Sequence, residues 1–222
     1  MEKKIILTDK FVINSFGIKL FQIKCTKSFK YAQKGDFGGY VEKEGNLDQE
    51  NDAWVFGNAR VFGNARVSSN ARVSGDAWVS DNARVSGDAW VSDNAWVSSN
   101  AWVSGDALVS GYAWVSGDAR VFGNARVSGD AWVSGNAWVS GDADIENDNE
   151  HCGFDGFGSC NRHTHAYMTK EKKVEIICGC FRGSIEEFEK KVEETHSGTV
   201  YEKQYKSIIN VIKIKFGLTD FT

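Results

Sequence analysis

The chain has 222 residues, a net charge of −4 and an ordinary charged fraction, so bulk electrostatics give it no general attraction to nucleic acid or anionic membrane. Proline is absent while glycine occurs 23 times, so turns must come from residues that tolerate left-handed backbone angles. The N-terminus starts with charge and lacks the apolar run of a signal peptide, and no stretch approaches the roughly 20 apolar residues that cross a bilayer. Five cysteines, an odd number, without an export signal read as reduced thiols in a cytoplasm.

Residues 1–51 are expected to form an N-terminal hairpin and cap. Lys10 to Asn14 and Ile18 to Cys25 alternate as strands around the turn Asn14-Ser15-Phe16-Gly17. Val41 and Leu47 are six residues apart, which predicts that a first, irregular coil begins there.

Residues 52–145 carry the strongest signal. From Asp52 the chain repeats [N/D]-A-[W/R]-V-[S/F]-[G/S/D] with a period of six: alanine recurs sixteen times from Ala53 to Ala143, and valine follows two residues later from Val55 to Val139, closed by Ile145. Residues two apart on a strand share a side, so Ala and Val point inward and the residue between them outward. Ser-Gly-Asp or Phe-Gly-Asn then supplies a corner. Such short strands become stable when three form a coil of 18 residues and coils stack roughly 4.8 Å apart. The expected fold is therefore mainly β, a parallel solenoid. The repeat resembles the hexapeptide-repeat left-handed β-helix proteins, and the resemblance implies the left hand, which periodicity alone does not give.

Residues 146–150 read as an acidic linker, and 151–222 as a small α+β domain. His151 to Cys160 is glycine-rich and reads as a loop. Residues 162–169 and 173–181 read as strands. Ser184-Ile185-Glu186-Glu187 is a capping-box start for a helix to about His196. Tyr201 to Phe216 reads as a second helix with Tyr205, Ile208, Ile209, Ile212 and Phe216 on one face.

Two stretches flanking the repeats, Gly35-Asp36-Phe37-Gly38-Gly39-Tyr40-Val41-Glu42 and Gly179-Cys180-Phe181-Arg182-Gly183 with Ile185-Glu186-Glu187-Phe188, resemble uncharacterised phage and prophage proteins that carry hexapeptide repeats between such ends. The resemblance implies a phage-type protein acting in a bacterial cytoplasm, possible roles being to block a defence complex such as a CRISPR effector or to sequester a signalling nucleotide.

The outward position holds eight Trp, six Arg, one Leu and one Asp. Taken every 18 residues they sort into three faces. The first stacks Arg60, Trp78, Trp96, Trp114 and Trp132. The second carries Arg66, Arg84, Trp102, Arg120 and Trp138. The third carries Trp54, Arg72, Trp90, Leu108, Arg126 and Asp144. Soluble monomers rarely expose four consecutive tryptophans, and Trp and Arg are enriched at binding hot spots. The candidate binding residues are therefore Trp78, Trp96, Trp114, Trp132 and Arg60, with Trp102, Trp138, Arg84 and Arg120 on the second face. Three uses stay open: self-stacking, self-association into a homo-oligomer, and a foreign partner. Between Ala53 and Ala143 there are six Arg and eight Asp, which favours a host protein over a nucleic-acid track and leaves a small nucleotide open.

Many left-handed β-helix proteins are acyltransferases that resemble one another in a histidine base on or near a coil. Here His151, His163, His165 and His196 all lie outside the repeats, so the expectation is no catalysis and no cofactor, with acyl transfer or a purely structural role as alternatives. Cys152, Cys160, His163, His165, Cys178 and Cys180 could furnish a zinc site, but without a C-x-x-C pair the strands at Cys178 and Cys180 read as buried small residues, and no metal is expected.

Overall fold

The computed structural model describes residues 3–218. It begins with β1 (Ile5–Ile13), β2 (Lys19–Cys25) and β3 (Phe37–Val41). Sixteen two-residue rungs follow, from Trp54–Val55 to Asp144–Ile145. The chain ends with β4 (His151–Phe157), β5 (Arg162–Met168), β6 (Val174–Cys178), β7 (Phe181–Gly183), α1 (Ile185–His196) and α2 (Val200–Lys215).

The rungs form three parallel sheets of a β-solenoid of about six turns, and the three outward faces are those the 18-residue spacing gives. Each rung but the last three pairs with the one 18 residues on: Trp96 with Trp114, Trp102 with Arg120, Trp90 with Leu108. The ladder bonds are regular, as in Trp96 N–H to the Ala113 carbonyl and Ser98 N–H to the Val115 carbonyl, both 2.9 Å. Every repeat alanine and valine is buried, and the column of methyl groups runs through the solenoid as one core. Each valine taken from water contributes about 1.5–3 kcal/mol. The corners turn on left-handed residues: glycine at most, but Ser69, Asp81, Asp93 and Ser99 adopt φ of 58–60° at the same position.

The first coil is irregular and runs through Val41, paired in parallel with Val61, and Leu47, bridged to Val67. Because β3 pairs antiparallel with β2 on its other edge, the hairpin extends the first solenoid sheet in its own plane to eight strands. The hairpin is longer than its alternation suggests: β1 starts at Ile5, not Lys10, and a register irregularity between Leu7 and Phe11 interrupts the pattern.

At the far end, β4–β7 form a four-stranded antiparallel sheet. The glycine-rich stretch from His151 is strand β4 rather than a loop. The His163 ring packs directly on Gly153, where a Cβ would stand 2.7 Å from it. The two faces of this sheet alternate as strands must. His165, Tyr167 and Ile177 face the solenoid, and Tyr167 and Ile177 join its core. Ala166, Ile176 and Cys178 face the helices and pack with Phe188, Val192, Tyr205, Ile208, Ile209 and Ile212. The Ser184 capping box forms as its sequence suggests, with Glu187 N–H donating to Ser184 Oγ and Ser184 N–H to Glu187 Oε2. The acidic stretch contains a short 3-10 turn, Asp148–Glu150, and Asp148 accepts the Trp132 N–H at 2.7 Å. None of the described helices is long and apolar enough to cross a membrane.

Candidate functional site: the outward Trp and Arg ladders

The tryptophans sit on a common device. Apart from Trp54, each ring leans back over the residue 16 positions earlier, which follows the valine of the coil below. Where that residue is serine, the indole N–H donates to its hydroxyl: Trp96 to Ser80 and Trp114 to Ser98 at 3.0 Å, Trp90 to Ser74 at 2.8 Å, Trp102 to Ser86 at 3.1 Å, Trp132 to Ser116 at 3.4 Å. Where it is phenylalanine, the rings pack instead, Trp78 on Phe62 at 5.8 Å and Trp138 on Phe122 at 5.6 Å between centroids. The donors of Trp96, Trp114 and Trp132 on the first face are thus satisfied within the solenoid, whereas those of Trp78 and Trp138 have no such acceptor among the described residues.

On the first face Trp96 and Trp114 stack in parallel at 5.0 Å, and Trp114 and Trp132 at 5.1 Å. Trp78 meets Trp96 edge-on at 5.8 Å, with the Arg60 guanidinium 5.2 Å from its ring centre. Trp132 ends the strip at 49% exposure. Sequence reasoning missed one member. Phe16, at the tip of the β1–β2 turn, reaches over this face to within 6.1 Å of Trp78 and Phe62 and 6.4 Å of Trp96. It is itself 59% exposed, and with Ser15, Arg60, Asp76 and Asn94 it lines a concavity of about 550 Å³. The available signal was a large aromatic at a turn tip, where polar residues are usual.

The second face differs. Arg120 lies between Trp102 and Trp138, 5.9 and 6.0 Å from their ring centres. Arg66 and Arg84 stand in direct register below them. On the third face Trp54 does not point to water. The loop after β2 folds over it, Phe29 packing at 5.5 Å, and it is 2% exposed. Arg72 lies between Trp90, 4.6 Å away, and Tyr31, and Arg126 reaches Asp144 at 3.8 Å.

The C-terminal sheet separates the cysteines from three of the four histidines. Cys160, Cys178 and Cys180 line one pocket with Arg162, His196 and Tyr205. Cys152 is packed against the helices, and burial pushes its thiol up to about 11. His151, His163 and His165 lie on the other face. Among the described residues no three of His, Cys, Asp or Glu stand where one metal ion could be held.

His165 is wedged against the last coil. Its Nδ1 is 3.1 Å from the Trp138 carbonyl and its Nε2 is 3.2 Å from His151 Nδ1. A carbonyl can only accept, so the proton is on His165 Nδ1, and its Nε2 takes the proton of His151 Nδ1. Burial, opposed by that carbonyl and reinforced by the neighbouring imidazoles, pushes His165 down to about 3, and burial lowers His151 as well.

A family model described as the YdcK beta solenoid repeat matches residues 65–81, 77–93, 101–117 and 119–135. All four segments lie in the solenoid, and their starts are offset by multiples of six (65 to 77, 77 to 101, 101 to 119), in step with the rungs. The chain is similar to that repeat over these residues. No curated protein matches it.

Proposed function

Taking the repeat β-solenoid as premise, we propose that this chain is a non-catalytic binding scaffold whose first face docks a protein partner. The observation that carries this is the aromatic strip of Phe16, Trp78, Trp96, Trp114 and Trp132, held by ring packing, with the indole donors of Trp96, Trp114 and Trp132 taken up by the Ser80, Ser98 and Ser116 hydroxyls. A surface of fixed aromatic carbon rimmed by Arg60 and Asp76 matches the apolar centre and polar rim of a protein interface. It suits nucleic acid less, because the charged groups beside the strip are mixed in sign. The coils carry no excursion between rungs and no histidine, which supports binding over acyl transfer. The narrower reading, a phage-type inhibitor of bacterial defence acting in the host cytoplasm, rests on the resemblance of the two flanks.

The test is Trp96→Ala with Trp114→Ala, compared with the unaltered protein by light scattering and by pull-down from bacterial lysate. Association should weaken by more than about 2 kcal/mol. A single captured defence component lost in the double variant supports the narrower reading. A mass that falls from dimer to monomer makes the partner a second copy. Unchanged mass and unchanged capture would leave the strip as internal stacking and sink the proposal.

A further inference from the structure

The lower end of the second face presents a different chemistry from the strip. Of the six arginines on the coils, four have an internal partner: Arg60, Arg72 and Arg120 lie over aromatic rings, and Arg126 reaches Asp144. Among the described residues, Arg66 and Arg84 pair with no carboxylate, donate no side-chain hydrogen bond and lie over no ring. They are nevertheless exposed and directly in register, so two guanidinium groups rise from backbones roughly 4.8 Å apart. Like charges facing each other in this way are unfavourable.

A third cation joins them. Lys43, from the irregular first coil, leans over the same concavity of about 360 Å³, whose lining is Lys43, Gly45, Asn64, Arg66, Asn82 and Arg84. No carboxylate lines it. The acidic side chains nearest in sequence are engaged elsewhere: Glu42 accepts the Gly63 N–H, Glu44 pairs with Lys3, and Asp81 accepts the Ser99 N–H. The coil corner beside this face is also mostly neutral, with Asn64, Asn82, Asn100 and Asn136 against a single Asp118. Each of the first three carboxamides spends one N–H on the residue one coil above, Asn64 to Asn82 at 3.3 Å, Asn82 to Asn100 at 3.2 Å and Asn100 to Asp118 at 3.0 Å. The second N–H of each amide remains for a ligand oxygen.

We propose that this concavity is a binding site for a diphosphate group. Guanidinium forks match phosphate oxygens in pairs, and two forks one rung apart with an ammonium beside them suit two linked phosphates better than a single carboxylate. The ligand is small, because the charge does not continue. The next rung above Arg84 is Trp102, 41% exposed, and the solenoid as a whole carries more Asp than Arg, so an extended phosphate backbone would meet no further track. The organic part of a nucleoside diphosphate would lie beside Trp102. The site is separate from the aromatic strip, and its failure leaves the proposed protein interface untouched.

Calorimetry on the whole chain with inorganic pyrophosphate, ADP and a single-stranded oligonucleotide tests it, using the unaltered protein and Arg66→Gln with Arg84→Gln. Pyrophosphate and ADP should both bind, more weakly as salt rises, and the double substitution should weaken each at least tenfold. Equal affinity means the diphosphate alone is recognised, and tighter ADP means that Trp102 contributes. No binding at 10 mM of either, binding that survives the double substitution, or an oligonucleotide that outcompetes ADP would overturn the proposal. A second readout needs no ligand: Arg84→Gln relieves the repulsion and should raise the melting temperature. A fall would show that Arg84 is held from within, which also overturns it.

Discussion

A coil in the middle of the solenoid and the sheet that closes its end solve the same burial problem with different chemistry. At Val97 the interior is methyl groups above and below, Val79 and Val115 in register, and the backbone donors of Trp96 and Ser98 bond to the next coil while that of Ala95 closes its own corner on the Ser92 carbonyl. At the closing sheet the buried set includes Thr164, His165 and Tyr167, whose polar atoms must each be satisfied individually. The Tyr167 hydroxyl shares its single proton between the Ser140 carbonyl and the Glu175 carboxylate, and Thr164 donates to Cys178 Sγ. A repeat can stack on a copy of itself, but its last coil has no copy above it. The end therefore needs a surface that donates to carbonyls such as those of Trp138 and Ser140, and histidine and tyrosine provide it. The coils should accordingly be insensitive to pH, whereas the cap, with its buried imidazoles, should not be.

The largest expected effect breaks the coil side of this contrast. Val97→Asp places a carboxylate among methyl groups with no partner and should cost at least about 4 kcal/mol. Denaturant unfolding followed by circular dichroism measures it. A cooperative transition at an unchanged midpoint would mean that the inward and outward positions are reversed.

The second effect sharpens the cap side. The unfolded chain protonates its histidines near 6.5, whereas folded His165 stays neutral to about 3 and folded His151 is shifted the same way. Asp148 favours the charged form of His151 and Lys215 opposes it, but burial outweighs both. The unfolded state therefore binds more protons as pH falls below 6.5, and stability present in full above that value is lost going down toward 3. One such imidazole removes about 1.4 kcal/mol per pH unit. Unfolding free energies at pH 7.5 and 5.5 should differ by about 1 kcal/mol or more, and His165→Gln should reduce that difference. Equal stability at both values would mean that water reaches the ring.

The solenoid was legible because each of its positions repeats: one six-residue pattern fixes which side chains are inside, which rungs pair and which residues share a face. What the repeat does not encode is what the flanks lay over it. Trp54 obeys the outward pattern yet is buried by Phe29, and Phe16 sits in a turn yet completes the aromatic strip. Both contacts join residues far apart in the chain with no periodic signal between them. Strand β4 was hidden by its glycines, since Gly153 and Gly156 read as breakers until His163 is seen packed against the first. The indole-to-serine bonds were present in the sequence as a separation of 16, but only a coil of 18 residues turns that spacing into a contact. Arg66 and Arg84 were placed on one face by counting, whereas their lack of partners is a fact of three dimensions.

A third prediction concerns the corners. Gly105 turns at φ of +68°, and a Cβ there would stand 2.9 Å from the Gly123 backbone N. Gly105→Ala should cost about 1–2 kcal/mol, from the left-handed backbone and the close approach together. Asp81 and Ser99 show that a side chain can be carried at this position, and Asp81 gains a hydrogen bond to Ser99 N–H in return. Gly105→Asp should therefore be milder than Gly105→Ala if the Asp81 arrangement can be transplanted. A larger loss for Asp than for Ala in thermal melts would show that the Asp81 bond depends on its own neighbours.

The smallest effect separates the two things a ladder tryptophan does. Trp96 stacks on Trp114 and also donates to Ser80, a serine 1% exposed. Ser80→Ala removes the acceptor, leaves the stack and should cost about 1 kcal/mol, the net worth of one such bond. Trp96→Phe removes the donor but keeps an aromatic ring, leaving the Ser80 hydroxyl without the indole N–H. If bond and stack are independent, the loss in Ser80→Ala should largely vanish when Trp96 is already Phe, a coupling of roughly 1 kcal/mol in a double-mutant cycle. The Trp138–Phe122 pair offers the internal comparison, because it lacks the serine altogether and packs ring on ring. There Phe122→Ser should restore a donor–acceptor pair and change stability little. A coupling near zero at Ser80 would mean that water replaces the hydroxyl freely. The strip would then offer more donors than that of Trp78, and a polar ligand would become as good an occupant for it as an apolar protein surface.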